Sequence, residues 1–361
     1  VTPRQMHAFM ETEGGYVVPE ADGTLTVCVS GQHGARDRLQ LSRILGIPEH
    51  RIRVVTSPTG GAFGGKDELT VQPALALLAL KSGRPVRLHL DRAESVLAGR
   101  MRNPMRIRMR TGCDSSGRLL VQEMDLLLDC GAYASLSPSV LETCLEHACG
   151  PYEVANVRNR GTLAYTNNGT CGAFRGFGAN QMTYAVECQV TRLADAAGDP
   201  IEFRRLNLRK PRSPGYLGQE IAPTDRLVEI LDAAANSDLW QRPRGLTANR
   251  RYAIGVGLAL LHQGTGLGSV VPDTGAGRLT LRPDGRIEAA FGLDEIGQGV
   301  VAIIQATTCC RSSATRRARR IRAQRRRRAA PSSSGRALRS WDRISARSFA
   351  VPPRTFSAGN R

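Results

Sequence analysis

No apolar run in this 361-residue chain is long enough to cross a bilayer, and its start shows no signal-peptide pattern. Those absences set the expectation of a cytoplasmic protein without membrane contact. The nine cysteines include no CxxC pair and no Cys/His cluster at zinc spacing, so no zinc module is expected and four-cysteine iron–sulfur ligation is not visible. The scattered thiols read as buried or half-buried groups in a reducing compartment. Lysine is missing from the last stretch: residues 311–361 hold sixteen Arg, no Lys and a single acid, Asp342. Nearly all of the formal charge of +18 therefore sits in that tail, and the rest of the chain has an ordinary balance.

Glycine, by contrast, is concentrated at three places. Gly60-Gly61-Ala62-Phe63-Gly64-Gly65-Lys66 follows an apolar run, Ile52 to Val55, that reads as a strand, and it precedes a helical stretch from Asp67 to about Leu80. Glycine lets backbone N–H groups approach an anion closely, and a helix N-terminus adds partial positive charge. The stretch predicts a bound anionic ligand, phosphate-bearing or metal-oxo. It half-fits the phosphate-binding P-loop: Gly60, Gly65 and Lys66 match, but Asp67 stands where Ser or Thr holds magnesium. A second stretch, Gly172 to Gln181, precedes a helix predicted over Met182 to Ala197. Within it, Arg175 lies between aromatics and glycines and offers an anion a planar fork of donors. A third, Asp294 to Gly299, precedes a helix starting at Val300. Gln32, at the end of a predicted strand over Thr24 to Ser30, has an amide able to donate to an oxo ligand.

The surrounding pattern is mixed. A strand, an amphipathic helix over Asp37 to Leu45, and the strand before the first glycine loop give a β–α–β order. Pro73 either kinks the helix after that loop or marks its late start. Arg106 to Arg110 and Leu119 to Leu128 predict a hairpin turning at Asp114 to Gly117, and Pro138 to His147 a helix capped by Ser137. The polar break from Arg242 to Arg251 is the expected domain boundary; an apolar strand over Ala253 to Leu261 and a second hairpin, Gly277 to Leu281 with Arg286 to Phe291, follow it.

The three motifs GGAFGGK, AFRGFGANQ and EIGQG agree in kind, order and spacing with the molybdenum-binding subunit of the xanthine dehydrogenase and aldehyde oxidase family, which the chain resembles over roughly residues 1–308. The resemblance implies an α+β fold of mixed sheets flanked by helices: a first cofactor-binding domain over 1–241, the incomplete start of a second over 242–308, and an Arg-rich tail over 309–361. It implies a molybdenum–pterin cofactor here, with iron–sulfur clusters and FAD on partner subunits of a hetero-oligomer. The chemistry implied is hydroxylation of an N-heterocycle or aldehyde with oxygen from water.

By matching position, Gln32 faces the oxo ligand, and Phe63 and Gly64 lie at the metal with the Gly64 N–H open to an anion. Arg175 helps hold the cofactor, Phe177 stacks on an aromatic substrate, and Gln298 hydrogen-bonds the pterin or its phosphate. Asp67 and Thr143 occupy substrate positions where purine-specific members carry Glu and Arg, which puts xanthine itself in doubt. The family's general base, a Glu near the C-terminus, has no counterpart, so turnover by this chain alone is not expected. Two other readings of the tail stand beside these: a disordered basic arm that binds polyanions, or a frameshift near Thr308 in an internal fragment of a longer subunit.

Overall fold

Alternation builds the first sheet. In β2 (Leu25–Val29) every second side chain points inward, and Leu25, Val27 and Val29 are buried. β1 (Gly14–Pro19) pairs antiparallel with β2 and with β4 (Val86–His89). α1 (Gly34–Leu45) crosses from β2 to β3 (Ile52–Val55), so those two strands run parallel and the order is β3-β2-β1-β4. Gly46, in the left-handed conformation at φ 67°, ends α1 as its position predicts. The structure, a computed structural model, describes residues 1–219, 226–242, 244–247, 250–264 and 275–308. The chain divides into two units, Val1–Gln305 and Ala306–Arg361, and the expected basic tail lies outside the described residues.

α2 (Gln72–Ser82) settles the alternatives at Pro73 in favour of a late start. Val71 is its N-cap and Pro73 sits in the first turn, where a missing N–H costs nothing. Leu75, Ala76 and Ala79 pack with Leu41 of α1 against Val17 and Val27, while Leu77, Leu78 and Leu80 are about half exposed. Only one face of this apolar helix is buried. α3 (Arg92–Ala98) opens on a capping box between Asp91 and Glu94.

β5 (Met101–Arg102) leads into the second sheet. β6 (Met105–Cys113) and β7 (Leu119–Gly131) form the predicted hairpin, its turn closed by Asp114 Oδ1 accepting from Ser116 and Arg118 N–H groups. β8 (Asn156–Tyr165) adds parallel to β7, and β9 (Cys171–Gly172) pairs with β5. α4 (Ser137–Glu146) and α5 (Ala179–Ala197) pack on this sheet, α6 (Pro200–Asn207) on α5, and α7 (Leu227–Ala235) on α6. Met182, Val186, Val190 and Ala194, four apart along α5, face Met105, Met124 and Leu126 in one core. The expected Ser137 cap is absent: Leu136 is the N-cap, and the Ser137 hydroxyl instead takes a hydrogen bond from Asn103 at 2.9 Å.

α8 (Asp238–Gln241) precedes β10 (Gly245–Leu246), which pairs with β11 (Ala253–Ile254). The strand expected to run to Leu261 stops at Ile254, yet Leu258 and Leu260 pack into the α5 core as irregular chain. β12 (Gly277–Leu281) and β13 (Ile287–Phe291) form the second predicted hairpin. Among the described residues, no helix is long and apolar enough to cross a membrane.

Candidate functional site

The first glycine loop is fixed by close approach. Gly64 has φ 98°, and a Cβ there would lie 2.7 Å from the Ala173 carbonyl oxygen, inside contact distance. Phe63, also left-handed at φ 52°, accepts at its carbonyl from the Arg175 N–H at 2.9 Å. The first two loops are thus joined backbone to backbone. The third joins through the Thr59 N–H, which donates to the Glu295 carbonyl at 2.9 Å, and through the Thr56 hydroxyl, which donates to Asp294 at 2.7 Å. Three loops far apart in sequence wall one cavity of about 1580 Å³. Gln32, Phe63, Gly64, Asp67, Arg175, Phe177 and Gln298 all line it.

Thr143 does not line it. It lies on α4 with its hydroxyl donating to the Ser139 carbonyl one turn back, and Leu136 and Ser139 form that part of the wall.

Gln32 and Gly64 meet directly: the Gly64 N–H donates to Gln32 Oε1 at 2.9 Å. That N–H is taken by the protein, unlike the expectation of a free donor. Because the amide oxygen must face it, the Gln32 NH₂ group is left as the donor for a ligand. Arg175 is exposed and its guanidinium has no side-chain partner among the described residues, so it is available to an anion. Phe177 is half-buried, with φ 47°.

Lys66 is not a phosphate ligand. Its side chain is 0% exposed, and Nζ donates to the Glu11 carbonyl at 2.8 Å and to Glu11 Oε1 at 3.3 Å, beside the Phe9 ring. Burial pulls its pKa down, against the pull of Glu11. Burial pushes the Glu11 carboxyl up, but the Gly60 N–H and the Lys66 ammonium outweigh it and hold its pKa below the ordinary value. The pair pins the loop from behind, with Glu11 Oε2 accepting from the Gly60 N–H at 2.6 Å. A P-loop needs this lysine in the site, and here it faces away.

The second loop rests on a residue that the sequence did not single out. Arg102, 5% exposed, places its guanidinium 3.8 Å from the Phe174 ring centre and donates to the Arg175 carbonyl at 2.9 Å. His7 stacks on the same ring at 4.1 Å and bonds the Ala173 carbonyl at 2.8 Å. Only the tertiary fold makes these contacts, so no local signal marks either residue.

In the third loop the anion is internal. The Glu295 carboxylate accepts N–H groups from Gly297 and Gly299 of the loop and from Val301 in the first turn of the helix over 300–308, and these bonds lower its pKa. Gln298 closes the same loop, donating to the Asp294 carbonyl at 2.8 Å and accepting from the Ile296 N–H at 2.6 Å. Its side chain lines the cavity but its amide is already paired.

On the remaining wall, His33 Nε2 lies 2.6 Å from Asp67 Oδ1, and Arg36 Nη1 lies 3.6 Å from Oδ2. The hydrogen bond to Asp67 raises the His33 pKa above the ordinary imidazole value. Behind them Asp37, 2% exposed, is pushed up to about 6 by burial; a hydrogen bond from Gln72 offsets this only in part.

Residues 1–208 match the model of the molybdopterin cofactor-binding domain. The chain belongs to that family. This molybdopterin-binding chain is 50% identical over 305 residues to a probable xanthine dehydrogenase component of Bacillus subtilis, covering 84% of this chain and 40% of that protein. It is 38% identical over 234 residues to the nicotinate dehydrogenase large molybdopterin subunit of Eubacterium barkeri, covering 64% of this chain and 55% of that one. Quinoline 2-oxidoreductase from Pseudomonas putida 86 superposes with a TM-score of 0.73 at 28% identity, covering 82% of this chain and 40% of that one. The chain therefore spans about half or less of the length of these relatives.

The site fits the cofactor on its own geometry. The cavity exceeds the roughly 300–1,000 Å³ of ordinary ligand pockets. The absence of a Cβ at Gly64 lets the first two loops meet backbone to backbone and brings two walls of the cavity together. An amide donor and a guanidinium remain to meet an anionic group.

Proposed function

We propose that this chain is the cofactor-holding part of a molybdenum hydroxylase that acts on an N-heterocycle or an aldehyde with oxygen from water. The observation that carries this reading is the convergence of three glycine loops on one cavity. When bound, the cofactor supplies the redox chemistry of the hydroxylation. This chain binds and orients it. The Gln32 NH₂ group donates to its anionic side, the Phe63 and Gly64 backbone sets how closely it approaches, and Arg175 supplies a fork of donors. Phe177 offers a ring face to an aromatic substrate, and Asp67 lies on the substrate side. Gln298 edges the cavity as a wall whose amide is held within its own loop.

Relatives named for xanthine, nicotinate and quinoline support the N-heterocycle, and aldehyde oxidase 3 of Mus musculus supports the aldehyde. Residues 1–241 then form the first cofactor-binding domain and 242–308 begin the second. Iron–sulfur and FAD subunits complete a cytoplasmic hetero-oligomer and carry electrons away. The test is purification of the full chain from cells that make the cofactor, with its natural partners present. Molybdenum accompanied by iron and flavin absorption is expected; a preparation with none of the three overturns the reading.

A further inference from the structure

The sheet β6-β7-β8 has one face packed and one bare. Met124, Leu126 and Leu128 of β7 point into the core, on the side where α4 and α5 pack. The residues between them point the other way, and the register sets them in rows across the three strands. Arg110, Glu123 and Arg158 form one row, Arg108, Asp125 and Arg160 the next, and Arg106, Leu127 and Thr162 a third. Among the described residues nothing covers them. The Arg110 and Arg158 side chains are 89% and 84% exposed, Leu127 is 43% exposed, and Arg106, Arg108 and Arg160 are exposed as well. Glu123 is shared in its row, at 3.0 Å from Arg158 and 3.9 Å from Arg110. The second row repeats that order of charges without an ion pair among the described residues. Five guanidinium groups stand against two carboxylates, and both carboxylates lie on the central strand.

We infer that this face docks an acidic surface of a second protein, a partner subunit of the chain. It rests on the hetero-oligomer of the proposed function and goes beyond it by assigning the contact to one face. The arginines stand in two columns on the outer strands, about 10 Å apart, with a step of about 7 Å along each. A complementary surface carries carboxylates in two columns at that separation and none over the Glu123–Asp125 line between them. Leu127 gives such a surface an apolar contact beside the charges, the mixture that interface cores favour. Two other occupants fit worse. A second copy would set arginine columns against arginine columns. A nucleic-acid backbone is negative throughout, and the two carboxylates at the centre of the face repel it. The cofactor cavity is not involved: Ser139 of α4 lines that cavity, and α4 packs on the opposite side of the sheet.

The experiment is arginine footprinting of the full chain purified together with its partner subunits. p-Hydroxyphenylglyoxal labels accessible guanidinium groups, and mass spectrometry reads each site in the complex and again after high salt has separated the subunits. The five face arginines are expected to label several-fold more slowly in the complex. Arg87, exposed on β4 of the first sheet, should label equally in both. Arg108→Glu combined with Arg160→Glu should weaken the complex about tenfold, because two attractions become repulsions at exposed positions. Arg87→Glu should leave it unchanged. The footprint of the parent needs no variant, so it survives a variant that fails to fold. Face arginines that label as fast in the complex as in the separated chain overturn the proposal. So does a preparation from which no subunit co-purifies, or a double variant that assembles as tightly as the parent. Protection that arises only on adding duplex DNA reassigns the face to nucleic acid and also overturns it. The molybdenum and pterin content of the same preparation reports separately on the cofactor reading.

Discussion

Gly64→Ala tests the junction of the first two glycine loops. Two costs add at this position. An L-residue in the left-handed region is disfavoured by roughly 1–2 kcal/mol. The new methyl would also lie 2.7 Å from the Ala173 oxygen, 2.8 Å from its carbonyl carbon and 2.9 Å from the Phe174 nitrogen, all backbone atoms that cannot swing aside. Overpacking of this kind costs about 1–3 kcal/mol, for a sum of about 3 kcal/mol. Gly83 is the matched control: it is left-handed at φ 63° with nothing within 4 Å of its built Cβ, so Gly83→Ala should cost only about 1 kcal/mol, the conformational part. Thermal unfolding of the two variants beside the parent chain measures the difference. At about 2 °C per kcal/mol for a unit of this size, the midpoints should fall by about 6 °C and about 2 °C. If Gly64→Ala unfolds no earlier than Gly83→Ala, the two loops do not pack as described.

Three further outcomes follow from the same contacts. Glu187 and Arg204 form a buried pair at 2.8 Å with side chains 6% and 1% exposed, so Glu187→Ala should cost about 3–5 kcal/mol by chemical denaturation, through the uncompensated guanidinium. The folded pKa of Asp37, about 6, lies above its unfolded value near 3.8, so the folded state holds the proton more tightly. Its contribution to stability is then full below pH 4 and is lost as pH rises through 6; Asp37→Asn should remove this slope and gain about 3 kcal/mol over the parent at pH 8. Glu295→Ala should speed amide exchange at Gly297, Gly299 and Val301, read by hydrogen-exchange NMR.

Strand alternation and glycine punctuation made much of the fold legible. The hairpin at Asp114 to Gly117, the β2–α1–β3 crossover and the three loops all stand where the pattern put them, because each is set by residues close in sequence. What was not legible depends on distance. Lys66 looks like a phosphate ligand until Glu11, from another part of the chain, takes its ammonium. Ser137 looks like a cap until Asn103 claims its hydroxyl. Arg102 sits in a short strand with other arginines nearby, and only the fold places it under Phe174. The loop donors misled differently. Glycine at a helix entrance predicts an anion, but local spacing does not reveal that Gln32 and Glu295 supply the acceptors themselves.

If the three joined loops hold a molybdenum–pterin cofactor, the purified chain carries it. The most direct measurement is the molybdenum and pterin content of the full chain, expressed with cofactor supply and purified beside Gly64→Ala. About one pterin per folded parent chain is expected, with a marked loss in the variant, because the methyl separates the first two walls of the cradle. A folded parent chain with neither molybdenum nor pterin would contradict it.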